Sequence, residues 1–395
     1  MPVSFLPYAK QSIDESDLES VKNALKGDII TRGQHVREFE EAIAHYCKAK
    51  YAVAFCNGTA ALMASYFSAN VTPSDRVIST PNTFIATVLP AIQLGIYPQF
   101  IDIDQNTGHL DLHFLKEELD FRSTRGKLVI LPVHFSGIAM NMQAFDELLY
   151  QHPNAVIIED AAHALGSFYS TGEKVGSCVR SNMTIFSFHP AKTITTGEGG
   201  MVTTNDLNLY HRLRLFRDNG IERESSYLEG EANPGYYEVK SATGNFHLTE
   251  FQAALGLSQL SRIDRLVKKR RKLVKLYRNL LQDVPGIRLF TNQFDELTAF
   301  HLFVIQVNFS HYTKRREEVM KELEKRKIGT QVHYIPLYRH PVLKNKKQSE
   351  WQEYFPNMEE YYRAALSLPL YYELSEKDVH RVCKELIHCL NNSNT

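Results

Sequence analysis

Seven short, almost continuously apolar runs punctuate the first half of this chain, at 51–55, 77–80, 99–103, 128–133, 156–158, 184–188 and 201–203. Segments with helical spacing separate them. Runs without polar alternation are expected for strands buried on both faces, and their alternation with helices predicts an α/β fold built on a mainly parallel sheet. Before the first run, Ser12-Ile13-Asp14-Glu15 reads as a capping box opening a helix to about Lys26, and 34–48 carries a second amphipathic pattern.

At 395 residues the chain exceeds what one hydrophobic core usually supports. Residues 220–245 form a long polar segment, followed by helical patterns over 248–281, a strand at 301–307, a helix at 314–327 and a strand at 330–334. We therefore expect a large domain over 1–260, including the N-terminal segment, and a smaller α+β domain over 261–395. Lys+Arg and Asp+Glu are both 45, which argues against nucleic acid or an anionic membrane as partner. The basic run 268–272 lies in a helical pattern and reads as a solvated face. Five scattered cysteines, no signal-like N-terminus and no membrane-length apolar stretch point to a cytoplasmic protein.

The chemistry concentrates in Ser187-Phe188-His189-Pro190-Ala191-Lys192, followed by Thr196-Gly197-Glu198-Gly199-Gly200. Thirty-two residues before the lysine, the run at 156–158 leads into Glu159-Asp160-Ala161-Ala162-His163. A carboxylate at one strand end and a lysine amine near another suit pyridoxal phosphate: the amine forms a Schiff base and the carboxylate keeps the pyridine nitrogen protonated. Asn57-Gly58-Thr59 follows a strand and opens a helix, where backbone N–H groups and the helix dipole favour a phosphate; read alone it is more often a plain helix cap, and Asp160 and Lys192 together favour the phosphate. Ser187 offers a second phosphate donor. His134, His163 and His189 lack the spacing of a zinc site, so no metal is expected, and no G-x-S-x-G elbow is present.

These motifs, together with Asn245-Phe246 and Gln252-Ala253-Ala254-Leu255-Gly256, resemble the signatures of the DegT/StrS-type sugar aminotransferases, in the same order along nearly the whole chain. The resemblance implies a fold-type I (aspartate aminotransferase-like) enzyme working as a homodimer with pyridoxal 5'-phosphate. It implies Lys192 as Schiff-base lysine and proton shuttle, Asp160 as partner of the ring nitrogen, Phe84 stacked on the ring and His163 beside the ring hydroxyl. Gly58, Thr59 and Ser187 would hold the phosphate, joined by Asn245 from the other subunit. Tyr8, the loop Asp28-Ile29-Ile30-Thr31, His333 and Tyr334 would lie beside the nucleotide sugar. One departure stands out: many relatives have arginine where this chain has His247. Ser187-Phe188-His189, His163, Gln331-Val332-His333-Tyr334-Ile335-Pro336 and Leu366-Ser367-Leu368-Pro369 are most like members of the pseudaminic acid pathway. Those transfer an amino group from L-glutamate to C4 of a UDP-linked 4-keto-6-deoxy-N-acetylhexosamine. The alternatives are a perosamine- or aminoarabinose-forming 4-aminotransferase using a UDP- or dTDP-linked sugar, and a PLP-dependent sugar dehydratase. The dehydratases carry histidine in place of the lysine, so Lys192 argues against them.

Overall fold

A computed structural model describes residues 4–121, 126–148, 150, 152–343 and 350–391. Seven strands form its main sheet: β1 (Tyr51–Phe55), β2 (Arg76–Ser79), β3 (Gln99–Phe100), β4 (Leu128–Leu131), β5 (Val156–Asp160), β6 (Met183–Ser187) and β7 (Gly200–Thr204). Their order is β1-β7-β6-β5-β4-β2-β3. Strands β2 to β6 are parallel, and β7 is inserted antiparallel between β1 and β6. Because β7 opposes both neighbours, β1 runs the same way as β6. All but β3 are buried along most of their length, as their continuous apolar sequence requires. The α/β expectation is borne out. The run at 99–103 gives only a two-residue strand, then a single bridge from Ile103 to Leu110.

Beyond the sheet, β8 (Ile221–Glu222) and β9 (Glu238–Val239) pair as a short hairpin within the polar 220–245 segment. A second, antiparallel sheet follows, with β11 (Phe303–Val307) between β10 (Ile287–Leu289) and β12 (Ala365–Leu368). The 330–334 strand does not form; only Gln331 pairs, exchanging both backbone hydrogen bonds with Ser367 of β12. The helical pattern over 248–281 breaks at Arg262 into helices Glu250–Ser261 and Ile263–Leu281.

The helix Ile263–Leu281 serves two cores. Ile263, Leu266 and Val267 pack with the main-sheet core, whereas Leu273, Val274, Tyr277 and Leu281 pack with β11, β12 and the helix Glu376–Asn391. Leu6 joins this second core through its pairing with Ile328, so the start of the chain lies on the C-terminal layer. The basic run 268–272 is not a uniformly solvated face. Arg270 is 2% exposed and donates from Nη1 to the carbonyls of Phe300 (3.2 Å) and Leu370 (3.0 Å). Its place three and four residues from Leu273, Leu266 and Val267 puts it on the apolar stripe, where backbone oxygens offset its desolvation.

The first helix, Glu15–Leu25, is capped by Asp14 rather than Ser12, and Asp17 returns the contact to the Asp14 N–H at 3.0 Å. Asp17 is fully buried between this helix and the next-door helix Glu250–Ser261, where it accepts from Ser258 Oγ and Gln259 Nε2, both at 2.6 Å, and pairs with Arg262. The helix Gln34–Cys47 begins at Gly33, which has no side chain to cap it. Glu250 does so instead, accepting from the N–H groups of Gly33 (2.8 Å), His35 (2.8 Å) and Val36 (3.3 Å). A Cβ at residue 33 would sit 2.7 Å from Glu250 Oε2, so glycine is required for this contact. Burial opposes the charge of Glu250, but those donors hold its carboxyl below the usual range. Glu250→Ala is expected to destabilise the fold by roughly 2–3 kcal/mol in denaturant unfolding at neutral pH. Because the folded-state pKa is depressed, this contribution is present above the ordinary glutamate pKa and is lost as pH falls through the lower folded value. The difference between wild type and variant should therefore shrink in acid.

Candidate active site

The parallel arrangement brings the ends of β1, β5 and β6 to one edge of the sheet, the edge where open α/β sheets gather ligands. Strand β5 ends in two adjacent carboxylates that alternate across the sheet. Glu159 is buried and fully engaged: Oε2 accepts from His134 Nε2 and Tyr169 Oη, both at 2.7 Å, while Oε1 accepts from Thr184 Oγ1 at 2.9 Å and from Ser181. Burial opposes its charge, yet these donors keep its carboxyl below the usual range. Asp160 points the other way. Its Oδ2 accepts from Thr87 Oγ1 at 2.7 Å and its Oδ1 from the Ala162 N–H at 3.1 Å. Two donors from different segments thus fix the orientation of a carboxylate at the strand end.

Lys192 follows β6 in a tight turn, its N–H donating to the His189 carbonyl at 2.8 Å. The residue is part-buried, but its amine is packed deeply enough that desolvation pulls the pKa down to about 8, with Asp160 pulling it back up. Three imidazoles feel that amine. His163 and His301 are held well below the ordinary histidine pKa by burial and then by Lys192, and His333 is lowered to about 3 by the same causes. All three are neutral at pH 7.

Hydrogen bonding fixes which nitrogen of His163 carries the proton. The Ser136 N–H donates to Nδ1 at 3.3 Å, so in the neutral ring Nε2 is protonated and donates to Tyr334 Oη at 3.0 Å. The Tyr334 hydroxyl proton is then free to point elsewhere. Burial, with Asp160 and Tyr8 nearby, raises this phenol well above its usual pKa, so it stays a donor. His333 Nδ1 lies 2.8 Å from Ser367 Oγ, and its ring centroid is 5.6 Å from that of Tyr8. Phe84 is 60% exposed, with its ring 6.5 Å from that of Tyr334. Lys192, Asp160, His163, Tyr8, His333, Tyr334 and Phe84 are thus gathered into one cluster. Thr87 and His301 belong to it and carried no motif. His301 is 4% exposed, its ring lies 4.4 Å from that of His163, and its Nδ1 has no hydrogen-bond partner among the described residues. A titratable residue opening an otherwise apolar strand run was the only signal for it.

At the end of β1, Asn57 caps the helix Gly58–Ser68, accepting from the Ala60 N–H at 2.8 Å. Gly58 and Thr59 occupy its first turn, where N–H groups have no acceptor within the helix. A Cβ on Gly58 would lie 3.1 Å from Ser187 Cβ, which places the β6 hydroxyl directly against the helix start. Asn245 is exposed, with its Oδ1 accepting from the His247 N–H at 3.3 Å. The loop Asp28-Ile29-Ile30-Thr31 is also exposed and lies by Thr249 and Glu250. Among the described residues no hydrogen bond or ring contact joins Asn245 or this loop to the Lys192 cluster of the same chain. No group of three or more His, Cys, Asp or Glu is placed to hold a metal ion among them.

This donor set fits pyridoxal phosphate. An amine of lowered pKa and an oriented carboxylate share one cluster, and a glycine-opened helix start beside a serine forms a cradle that a larger residue at position 58 would fill. The family model of DegT/DnrJ/EryC1/StrS aminotransferases matches residues 11–387. The chain is 35% identical to the spore coat polysaccharide biosynthesis protein SpsC of Bacillus subtilis, covering 96% of this chain and 95% of that protein. It is 33% identical to the UDP-4-amino-4,6-dideoxy-N-acetyl-beta-L-altrosamine transaminase of Campylobacter jejuni, over 98% and 97% of the two chains. The solved structure of Helicobacter pylori PseC, an aminotransferase involved in the biosynthesis of pseudoaminic acid, superposes with a TM-score of 0.87 at 29% identity, over 98% and 99%. The chain therefore belongs to the DegT/DnrJ/EryC1/StrS aminotransferase family and is a pyridoxal phosphate-dependent enzyme.

Proposed function

We propose that the protein transfers an amino group from L-glutamate to C4 of a UDP-linked 4-keto-6-deoxy-N-acetylhexosamine, giving UDP-4-amino-4,6-dideoxy-N-acetyl-β-L-altrosamine. The observation that carries amino transfer is the lowered amine of Lys192 in one cluster with the fixed carboxylate of Asp160. The sugar rests on likeness to the Campylobacter jejuni and Helicobacter pylori transaminases of that name, at 33% and 30% identity.

Pyridoxal phosphate supplies, when bound, an electrophilic carbon and an electron sink. Lys192 Nζ anchors it and, once released, is the base that holds the proton from Cα of the donor amino acid and returns one to C4 of the sugar. A pKa near 8 suits an amine that must do both near neutrality. Asp160 holds the proton on the ring nitrogen, oriented by Thr87 and Ala162. Gly58, Thr59 and Ser187 bind the phosphate. His163 and Tyr334 act as a unit, because the neutral His163 ring spends its only proton on the Tyr334 oxygen; the tyrosine proton is then the one aimed at cofactor or substrate. Tyr8 and His333 line the sugar side, and Phe84 stacks on the ring. Asn245 and the loop 28–31 lie away from their own chain's lysine, which supports a homodimer in which they serve the partner's site. The five cysteines are free thiols, consistent with a cytoplasmic enzyme.

Lys192→Ala is expected to lose turnover and the visible absorbance of bound cofactor together; a fully active variant would sink the assignment. Asp160→Asn keeps the shape and should lower kcat at least about a hundredfold, while an unchanged kcat would remove Asp160 from the chemistry. In cofactor-free protein, the rate of capturing pyridoxal phosphate should rise with pH up to about 8 and level off above it, since only the neutral amine reacts; stopped-flow absorbance across pH 6–10 reads this. For the sugar, the glutamate-aminated enzyme is mixed in single turnover with UDP- and dTDP-linked 4-keto-6-deoxyhexoses, with and without the 2-acetamido group. Fastest return of the original cofactor absorbance with the UDP-linked N-acetyl sugar is expected, and no response to any of them contradicts the nucleotide-sugar reading.

A further inference from the structure

The antiparallel sheet of the C-terminal layer has a second face, turned away from its main core. Along β11, Phe303, Ile305 and Val307 pack with the helix Glu376–Asn391, so strand alternation sends Val304 and Gln306 the other way, toward the helix Pro356–Ala364. At one end of this face, β10, β11 and the last turn of that helix border a cavity of about 580 Å³. That is the size of a small-molecule site. None of the residues gathered around Lys192 lines it.

Its polar lining is incomplete in one direction. Gln306 is 6% exposed, and its Nε2 has no hydrogen-bond partner among the described residues. A buried amide left unpaired costs about 1–3 kcal/mol, so the position calls for an acceptor that the chain does not supply. Arg288 lies directly across from Gln306 in the β10–β11 register, on the same face. Its guanidinium is held by a neutral residue: Nη2 donates to the Gln105 carbonyl at 2.7 Å and Nη1 to Gln105 Oε1 at 3.3 Å. Arg363 donates from Nε to the Glu359 carbonyl at 3.3 Å, which leaves its Nη groups without a carboxylate. Neither arginine forms an ion pair among the described residues. The one acid in the lining, Glu360, accepts from Gln105 Nε2 at 2.9 Å. Two guanidinium groups against one carboxylate leave the cavity with one positive charge.

We infer that this cavity binds the carboxylate of a small monovalent organic acid, through the Gln306 amide and the guanidinium groups of Arg288 and Arg363. Every uncommitted polar group except Glu360 is a donor, which selects an acceptor as ligand. Water would satisfy the amide but not the charge. A single carboxylate does both, and its two oxygens match a guanidinium fork. Net charge then separates carboxylate from phosphate: a monoanion leaves the cavity neutral, whereas a phosphate dianion leaves it negative and faces Glu360. The site also lies close to the sugar side of the cluster. Gln306 pairs with Ala365 of β12, and Ser367, two residues along the same strand, holds His333.

The test is a fluorine NMR titration of the holoenzyme with para-fluorobenzoate and with its uncharged counterpart, para-fluorobenzamide. Wild type is expected to bind the acid at least about tenfold more tightly than the amide; equal affinities overturn the inference. Arg363→Gln removes the charge and Gln306→Met removes the donor at nearly constant volume, and each should abolish that preference. Preference kept in either variant contradicts the site. Melting temperature separates binding from folding. Gln306→Met should melt no lower than wild type, because it deletes an unpaired buried amide. A lowered melting temperature would mean that Gln306 serves the fold, and would also overturn the inference. Acetate should displace the bound acid at lower concentration than inorganic phosphate; the reverse order would make this a phosphate site. The visible absorbance of the cofactor should stay constant through the titration, whereas a change that follows the binding curve would place the acid at Lys192 instead.

Discussion

The insertion of β7, antiparallel, between β1 and β6 is the constraint on which the site depends. Reversing one strand leaves its two neighbours pointing the same way, so the ends of β1, β6 and β5 open at one edge. The fit is tight: a Cβ on Gly200, at the start of β7, would stand 2.3 Å from the Asn57 carbonyl oxygen. That contact seats the helix start of Gly58 next to the β6 hydroxyl of Ser187. The chain continuing from Ser187 then turns Lys192 back toward Asp160.

Electrostatics sorts the residues delivered to that edge. Glu159 and Asp160 are neighbours in sequence, yet strand alternation gives them opposite fates. The first is saturated by His134, Tyr169, Ser181 and Thr184 and holds strands and loops together. The second is held by Thr87 and one backbone N–H and remains open to the lysine side. Around Lys192, desolvation keeps three imidazoles neutral, so the cluster does not accumulate positive charge beside its amine.

Much of this was legible in the chain. Continuous apolar runs marked six of the seven main strands to within a residue or two, because burial on both faces leaves no polar alternation. Lys192, Asp160, Gly58 and Ser187 stood at the ends of such runs. What failed was context. Residues 330–334 have strand composition but meet β12 at only one residue, and β12 itself carries no boundary signal because it follows the helix Pro356–Ala364 without a break. Arg270 looked solvated within a basic run, since nothing local reveals that three backbone carbonyls converge on it. His301 and Thr87 reach the site only through tertiary packing, from segments with no motif of their own.

In the proposed mechanism the strand ends bring Lys192, and no other lysine, to the cofactor opposite Asp160. Borohydride reduction of the holoenzyme, followed by proteolysis and mass spectrometry, tests it most directly. The cofactor-derived mass should be found on Lys192, in the peptide that begins near Ser187. Attachment at a different lysine, or none while the visible absorbance is lost, would contradict the account.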